Sequence, residues 1–461
     1  MLTKPFFPRL FLVLLLVLPC LFGNGALGRK MTLVTREVRI QNSGEIYVVI
    51  FDAGSSGTRV HVFRFDENIN ILPINGELDV QAKVTPGLSS YSDNPKEAAS
   101  SIAPLLEKAV NTVPVKLRLQ TPVKLGATAG LRLIGEEKSE KILHAVQILF
   151  SNSSLWYEKD WVVVISGTEE GTYMWVTMNY LLGHLGNEYS KTVGVVDLGG
   201  ASVQMAYAIS AETASNAPTT GEEYISKHHL RGTNYNLYVH SYLRYGQDAA
   251  RAEILKSTND SVNYCILSGY NGKYKYNGAL YNARSSSSGS NYDKCRENVL
   301  EALNLNANCE VQNCTFNGVW NGGGGAGQDK LYLATAFYYR AADFNIINSK
   351  AGSGEATPAD FKRAAAVTCA LKSQEEASTK YPNVWTSNLP FVCMDLVYQY
   401  TLLTSGFGLD DEKSVTLIDK VKYGDFYPEA SWPLGSAIQT VSTMSSTKQE
   451  AKNMFRFWSH A

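Results

Sequence analysis

One pattern occurs twice in this chain and narrows what it can fold into. Residues 47–65 read YVVIFDAGSSGTRVHVFRF and residues 193–209 read VGVVDLGGASVQMAYAI. Each is a run rich in β-branched residues that ends in aspartate (Asp52, Asp197), turns on small residues and resumes as a second extended run. Such runs favour strands, and glycine and serine permit the tight turn between them, so each segment is expected to be a β-hairpin. Two equivalent hairpins imply two related lobes. Between them the chain alternates. Ala98, Ile102, Leu105, Leu106, Ala109 and Val110 recur at helical spacing after Asn94-Pro95, a strand is expected at 123–127, and Ile142, Leu143, Val146 and Leu149 mark a further helix. A strand at 161–166 and a helix at 172–182 follow. This alternation predicts an α/β protein with mixed sheets covered by helices. Residues 210–330 read as a loop-rich elaboration of the second lobe, and 331–342, 361–372 and 392–403 as helices.

The chain has 461 residues, enough for two or three domains. Hydrophobic residues make up 44% and charged residues 18%, which suits a packed core and excludes a disordered chain. The net charge of -1 provides no basic field for nucleic acid, so any anionic ligand must be held locally. Lys4 and Arg9, the apolar run 10–22 and the small residues 23–28 have the layout of a secretory signal peptide, assigned to 1–28. That run is too short to span a bilayer comfortably, an uncleaved anchor tethering the protein in the Golgi being the alternative, and no later stretch is long and apolar enough to cross. A secreted or Golgi-lumenal protein is expected. Beyond Cys20 stand Cys265, Cys295, Cys309, Cys314, Cys369 and Cys393, an even set that predicts three disulfides in an oxidising compartment. Sequence leaves the connectivity open; nearest-neighbour pairing (265–295, 309–314, 369–393) is the expectation. Asn152, Asn259 and Asn313 head N-x-S/T acceptor triplets.

The turns carry the chemistry. In Asp52-Ala53-Gly54-Ser55-Ser56-Gly57-Thr58-Arg59, small residues let backbone N–H groups form an anion-binding concavity, and the aspartate at the strand end is suited to a cation or its water shell. Asp197-Leu198-Gly199-Gly200-Ala201-Ser202-Val203-Gln204 repeats those parts. Alone, either segment is as easily an ordinary hairpin turn with a capping aspartate; facing each other, they would clamp a polyphosphate. Mg²⁺ or Ca²⁺ would then be held by few carboxylates, mostly through water. Ser166-Gly167-Thr168-Glu169-Glu170-Gly171 joins a strand end to a helix start. Glutamate in a first helical turn commonly serves capping, the alternative for Glu169; Glu170 is the candidate base for activating water. Gly126-Ala127-Thr128-Ala129-Gly130-Leu131-Arg132 is a further strand-to-helix turn of small residues. Other chemistries lack their residues: the glycine run 322–327 has Gln328 where a Walker loop needs lysine, and H-E-x-x-H, C-x-x-C and G-x-S-x-G do not occur.

DAGSSGTR, GATAGLR, SGTEEGTYMWVTMNYLLG, DLGGASVQ and the later SWPLG at 431–435 stand in an order that resembles the GDA1/CD39 nucleoside phosphatase family, most closely its soluble plant and legume apyrases. The resemblance spans about 47–435. It implies a two-lobed actin-like (ribonuclease H-like) fold with the active site in the interlobe cleft. Lobe I would comprise 45–166 plus 436–461, and lobe II 167–435. It implies Glu170 as catalytic base, Ser202 and Gln204 as the residues that place the attacking water, and Asp52 and Asp197 as organisers of a hydrated Ca²⁺ or Mg²⁺. Phosphate binding would fall to Gly54, Ser55, Ser56, Gly57, Thr58, Arg59, Gly199, Gly200 and Ala201, with Thr128 and Ala129. The expected activity is hydrolysis of nucleoside tri- and diphosphates to monophosphate and phosphate, by a monomer. Its alternatives are a Golgi nucleoside diphosphatase, a lectin-like carbohydrate-binding protein with nucleotidase activity, and a kinase or chaperone-like ATPase on the same fold. Phe337-Tyr338-Tyr339 is a candidate base-stacking stretch, with a core role as the alternative.

Overall fold

The computed structural model describes residues 44–219, 223–258 and 262–458, from 446 onward as backbone alone. The signal peptide expected at 1–28 and the acceptor Asn259 lie outside the described residues. The first sheet contains β1 (Glu45–Ala53), β2 (Thr58–Asp66), β3 (Ile71–Leu72), β4 (Val80–Val84), β5 (Val123–Ala127) and β6 (Val162–Val164). The second contains β7 (Gly194–Leu198), β8 (Ser202–Ile209), β9 (Ile225–Leu230) and β10 (Thr233–Leu243). A separate hairpin, β11 (Asn271–Tyr276) and β12 (Ala279–Arg284), precedes its last members, β13 (Leu331–Thr335), β14 (Ser353–Ala356) and β15 (Val415–Ile418).

Both sheets repeat one plan. β1 and β2 form an antiparallel hairpin with Asp52 opposite Arg59; β5 runs parallel to β1, and β6 parallel to β5. β7 and β8 form an antiparallel hairpin with Asp197 opposite Gln204; β13 runs parallel to β7, and β15 parallel to β13. The parallel strands are short apolar runs because helices cover both their faces. Alternation divides each strand between two cores. Val49, Phe51 and Ala53 pack outward with the helices Ala103–Thr112 and Glu136–Ser151, while Val48 and Ile50 point toward the second sheet.

Two helices fill the space between the sheets. Gly167–Leu181 lies against β7, β8 and β10, and Trp432–Trp458 lies against β1, β2 and the first helix. One apolar cluster runs through this layer, from Val48, Ile50, Phe63 and Phe65 through Met174, Trp175, Met178, Leu434 and Ile438 to Val195, Ala206, Leu237 and Val239. Fully burying one large apolar side chain contributes about 1.5–3 kcal/mol, so the layer holds the sheets together strongly. From Glu170 onward the Gly167–Leu181 helix is buried except at the partly exposed Tyr173. At its crossing with the final helix, Gly435 N–H donates to Thr177 Oγ1 (2.8 Å), and that hydroxyl donates to the Ser431 carbonyl (2.8 Å). A methyl group on Gly435 would strike the Tyr173 carbonyl.

Two expectations are corrected. Residues 331–342 are not one helix: Leu331–Thr335 is a strand in the centre of the second sheet, followed by the helix Ala336–Asp343. The apolar run continues into the helix without a break in hydrophobicity, which hides the change of period. Residues 210–330 are more regular than expected, since β9, β10 and the helices Gln247–Ser257 and Tyr292–Ala302 lie there. The disulfides Cys265–Cys295, Cys309–Cys314 and Cys369–Cys393 are those of the nearest-neighbour expectation. Among the described residues no helix is long and apolar enough to cross a membrane.

Candidate active site

Alternation aims the polar residues at one place. Val48 and Ile50 enter the inter-sheet core, so Asp52 projects from the same face of β1; Val195 does so in β7, and Asp197 follows. Ala206 and Ala208 put Ser202 and Gln204 on that face of β8, and Leu237 and Val239 put Ser241 there in β10, in register opposite Gln204. The two glycine turns meet above them. A methyl group on Gly200 would lie 2.7 Å from the Ser55 hydroxyl oxygen and 2.9 Å from Asp248 Oδ2, so any larger residue would displace these side chains. The Gln247–Ser257 helix starts beneath turn two, with Gln247 N–H donating to Gly199 O (2.8 Å) and Asp248 N–H to Gly200 O (2.9 Å). Thr128 is buried at the end of β5, where its N–H donates to Ala53 O (3.1 Å), and Ala129 follows it.

The 167–181 helix starts at the same end of the molecule. Ser166 caps it: Glu169 N–H donates to Ser166 Oγ (3.1 Å) and Ser166 N–H to Glu169 Oε2 (2.8 Å). This capping box gives Glu169 its structural use. Glu170 is buried instead, with Arg132 Nη2 2.5 Å from its Oε2 and Gln204 Nε2 3.4 Å from the same oxygen. Gln204 Nε2 also lies 2.6 Å from Ser202 Oγ and 2.9 Å from Ser241 Oγ, while its Oε1 is buried without a protein partner. Asp197 Oδ1 accepts a hydrogen bond from Thr335 Oγ1 (2.5 Å). Asp52 has Arg59 Nη1 at 3.9 Å and a hydrogen bond from Trp432.

These carboxylates feel one another. Burial pushes Glu170 up to about 8; Arg132 opposes the shift, and the charges of Asp197 and Asp52 add to it. Burial pushes Asp197 up to about 6; the Thr335 hydrogen bond opposes this and Asp52 adds to it. Asp52 is raised by burial against the pull of Arg59. Three converging carboxylates face two guanidinium groups, a charge deficit suited to a hard divalent cation with oxygen ligands. Among the described residues no three His, Cys, Asp or Glu side chains form a direct ligand set, and Asp52 and Asp197 are the strand-end acids available to such an ion.

Arg132 and Trp432 stand within the sequence motifs with no role assigned to them there, and Ser241, Asp248 and Thr335 lie outside every motif. Ser241 is found only through the β8–β10 register, and Thr335 only once Leu331–Thr335 is a strand beside β7. In the aromatic stretch, Phe337 and Tyr338 are core, whereas Tyr339 is 39% exposed, with its hydroxyl on Asp419 Oδ1 (2.9 Å).

Comparison with known proteins identifies the family and the fold. Residues 38–453 match the GDA1/CD39 (nucleoside phosphatase) family. "Probable apyrase 2" of Oryza sativa subsp. japonica is 53% identical over 401 residues, covering 86% of each chain. The "Nucleoside-triphosphatase" of Pisum sativum is 46% identical over 442 residues, covering 95% of this chain and 97% of its own. The "Apyrase" of Solanum tuberosum is 46% identical over 435 residues, covering 94% and 95%. Among solved structures, a nucleoside triphosphate hydrolase from Neospora caninum superposes with a TM-score of 0.60 at 15% identity, over 87% of this chain and 93% of that one, a likeness of fold. That fold is α/β, actin-like, with helix-covered mixed sheets. The chain belongs to the GDA1/CD39 nucleoside phosphatase family and is an apyrase-type hydrolase of phosphoric anhydrides.

Proposed function

We propose that this protein hydrolyses nucleoside tri- and diphosphates to nucleoside monophosphate and phosphate, with Glu170 as the base that activates water. The reading rests on one observation above all: Glu170, Gln204 and Ser202 share a hydrogen-bonded cluster where two glycine turns, the buried Asp197 and the partly buried Asp52 converge. Glu170 takes a proton from the attacking water, and Ser202 and Gln204 orient that water toward the terminal phosphorus. The Gln204 Oε1 atom, buried with no protein partner, is a natural acceptor for it. Backbone N–H groups of 54–58, Gly200 and Ala201, with Thr128, Ala129 and Arg59, hold the phosphoryl oxygens, whereas the Gly199 N–H is taken by the Ser202 carbonyl (3.0 Å) and Gly199 serves through its lack of a side chain.

Asp52 and Asp197 would hold Ca²⁺ or Mg²⁺ through water. When bound, that ion supplies charge to the phosphoryl oxygens and lowers the carboxyl pKa values around it. The lobes 45–166 plus 436–461 and 167–435 are taken to enclose the nucleotide between them. A secreted or Golgi-lumenal address fits the signal-like N-terminus and the disulfides.

The test is phosphate release from ATP, ADP, GDP, UDP and AMP, with and without EDTA. Cleavage of tri- and diphosphates, sparing of AMP and abolition by EDTA are expected, because a monophosphate does not reach both turns. Release that EDTA leaves intact would remove the cation from this reading, and rapid cleavage of AMP would remove the two-turn clamp.

A further inference from the structure

Thr335 ends β13, where it lies in register with Leu198 beside Asp197. Its backbone is unusual: φ is +62° and ψ is -115°, a conformation that L-residues rarely adopt and that a β-branched side chain adopts least readily. Such outliers persist only where the surroundings over-determine them, and they cluster at functional sites. Here the surroundings are explicit. The carbonyl of the next residue, Ala336, accepts a hydrogen bond from Gln399 Nε2 (3.0 Å), and the same amide nitrogen donates to Gln247 Oε1 (2.8 Å). Gln247 N–H holds Gly199 O (2.8 Å), and its side-chain amide donates to Asp395 Oδ1 (3.1 Å), which Arg251 grips through both Nε and Nη2. Gln247, Arg251, Asp395 and Gln399 are all buried. One buried polar chain therefore ties down both the strained turn after β13 and the glycine turn after β7. Between those turns stands Asp197, with its Oδ1 bonded to the Thr335 hydroxyl.

The first sheet has no such device. Ala53 pairs with Ala127 as Leu198 pairs with Thr335, and the Ala127 methyl group donates nothing. Asp52 has Arg59 and Trp432 instead. The duplicated plan has thus made its two aspartates inequivalent: one stands opposite a guanidinium at 3.9 Å, the other is tethered by a hydroxyl. Given the reading of Asp197 as an organiser of the hydrated cation, on which this rests, we infer that Thr335 is a positioning residue whose strained backbone aims its hydroxyl at Asp197 Oδ1 and fixes the carboxylate rotamer that the cation's water shell needs.

The experiment compares Thr335→Val, which keeps the shape and loses the donor, with Thr335→Ala, Thr335→Ser and an Asp197→Asn control. Binding of Mn²⁺ is read by electron paramagnetic resonance with a β,γ-imido nucleoside triphosphate bound, alongside kcat, KM and melting temperature. Loss of a residue that orients a metal-organising carboxylate typically costs about 10–100-fold in metal affinity or activity. That loss is expected for the valine and alanine variants in Mn²⁺ affinity and kcat, with nucleotide KM little changed, and serine should restore most of it. Valine and alanine variants that bind Mn²⁺ and turn over like the wild type, while Asp197→Asn loses both, would overturn the role of Thr335 and leave the cation reading standing. Unchanged Mn²⁺ binding in Asp197→Asn would overturn the cation reading itself. Equal loss in the serine variant, or failure of both valine and alanine variants to fold, would assign Thr335 to the scaffold and overturn the inference.

Discussion

Arg132 Nη2 and Glu170 Oε2 are 2.5 Å apart, an ion pair between the turn after β5 and the first turn of the helix between the sheets. Arg132 is the largest influence holding the Glu170 pKa down against burial. An Arg132→Gln variant keeps a donor but removes the charge. Its acid limb of kcat/KM should move to higher pH, since more of Glu170 is then protonated at a given pH, and kcat at pH 7 should fall. A pH–rate profile of phosphate release measures both; an acid limb that moves to lower pH or stays in place contradicts the pairing.

Glu170→Gln preserves the shape of the side chain and an acceptor for Arg132, and removes the base. A positioned general base contributes roughly 10²–10⁴-fold, so phosphate release should fall by about that factor while nucleotide binding, followed by calorimetry, persists. Near-normal turnover would assign the water-activating role elsewhere.

The cation-free protein should lose stability as pH rises. In the folded state burial pushes Glu170 up to about 8 from 4.5 and Asp197 up to about 6 from 3.8. Between those values the folded state binds protons that the unfolded chain has released, so unfolding free energy decreases with pH. This stability is fully present below about pH 4; the Asp197 part is lost by about pH 6 and the Glu170 part by about pH 8, each at no more than about 1.4 kcal/mol per pH unit. Melting curves in EDTA should show a decline between about pH 6.5 and 8 in the wild type. Glu170→Gln should flatten that decline, and a divalent cation should offset it.

Gly435→Ala tests the helix crossing. Its methyl group would meet the Tyr173 carbonyl, backbone that cannot swing away, where Gly435 N–H is bonded to Thr177. Overpacking of this kind costs about 1–3 kcal/mol. The urea midpoint should drop accordingly, and activity with it, because the displaced helix carries Glu170. An unchanged midpoint would mean that the two helices have room to separate.

What could be read from the sequence was local or repeated. The strand–aspartate–turn repeat announced two related lobes, with Asp52 and Asp197 at strand ends beside turns of small residues. Cap chemistry separated Glu169 from Glu170 only in part, since both suit a first helical turn; the reciprocal bonds with Ser166 decide it. What remained hidden depends on contacts between distant segments. Arg132 meets a carboxylate 38 residues on, Ser241 meets Gln204 across a strand pair, and Thr335 meets Asp197 across another. Leu331–Thr335 carried no period of its own, so both its strand character and the hydroxyl at its end were invisible.

The layer between the sheets has a further consequence for how the molecule comes into being. One of its two helices, Trp432–Trp458, follows every strand of both sheets in the chain, and it supplies both the indole beside Asp52 and the packing beneath β1. A ribosome-bound chain that has not yet emitted this segment owns every catalytic side chain proposed above and still lacks the wedge that sets them face to face. Competence for hydrolysis therefore waits on this helix and is acquired in one step, and not accumulated lobe by lobe.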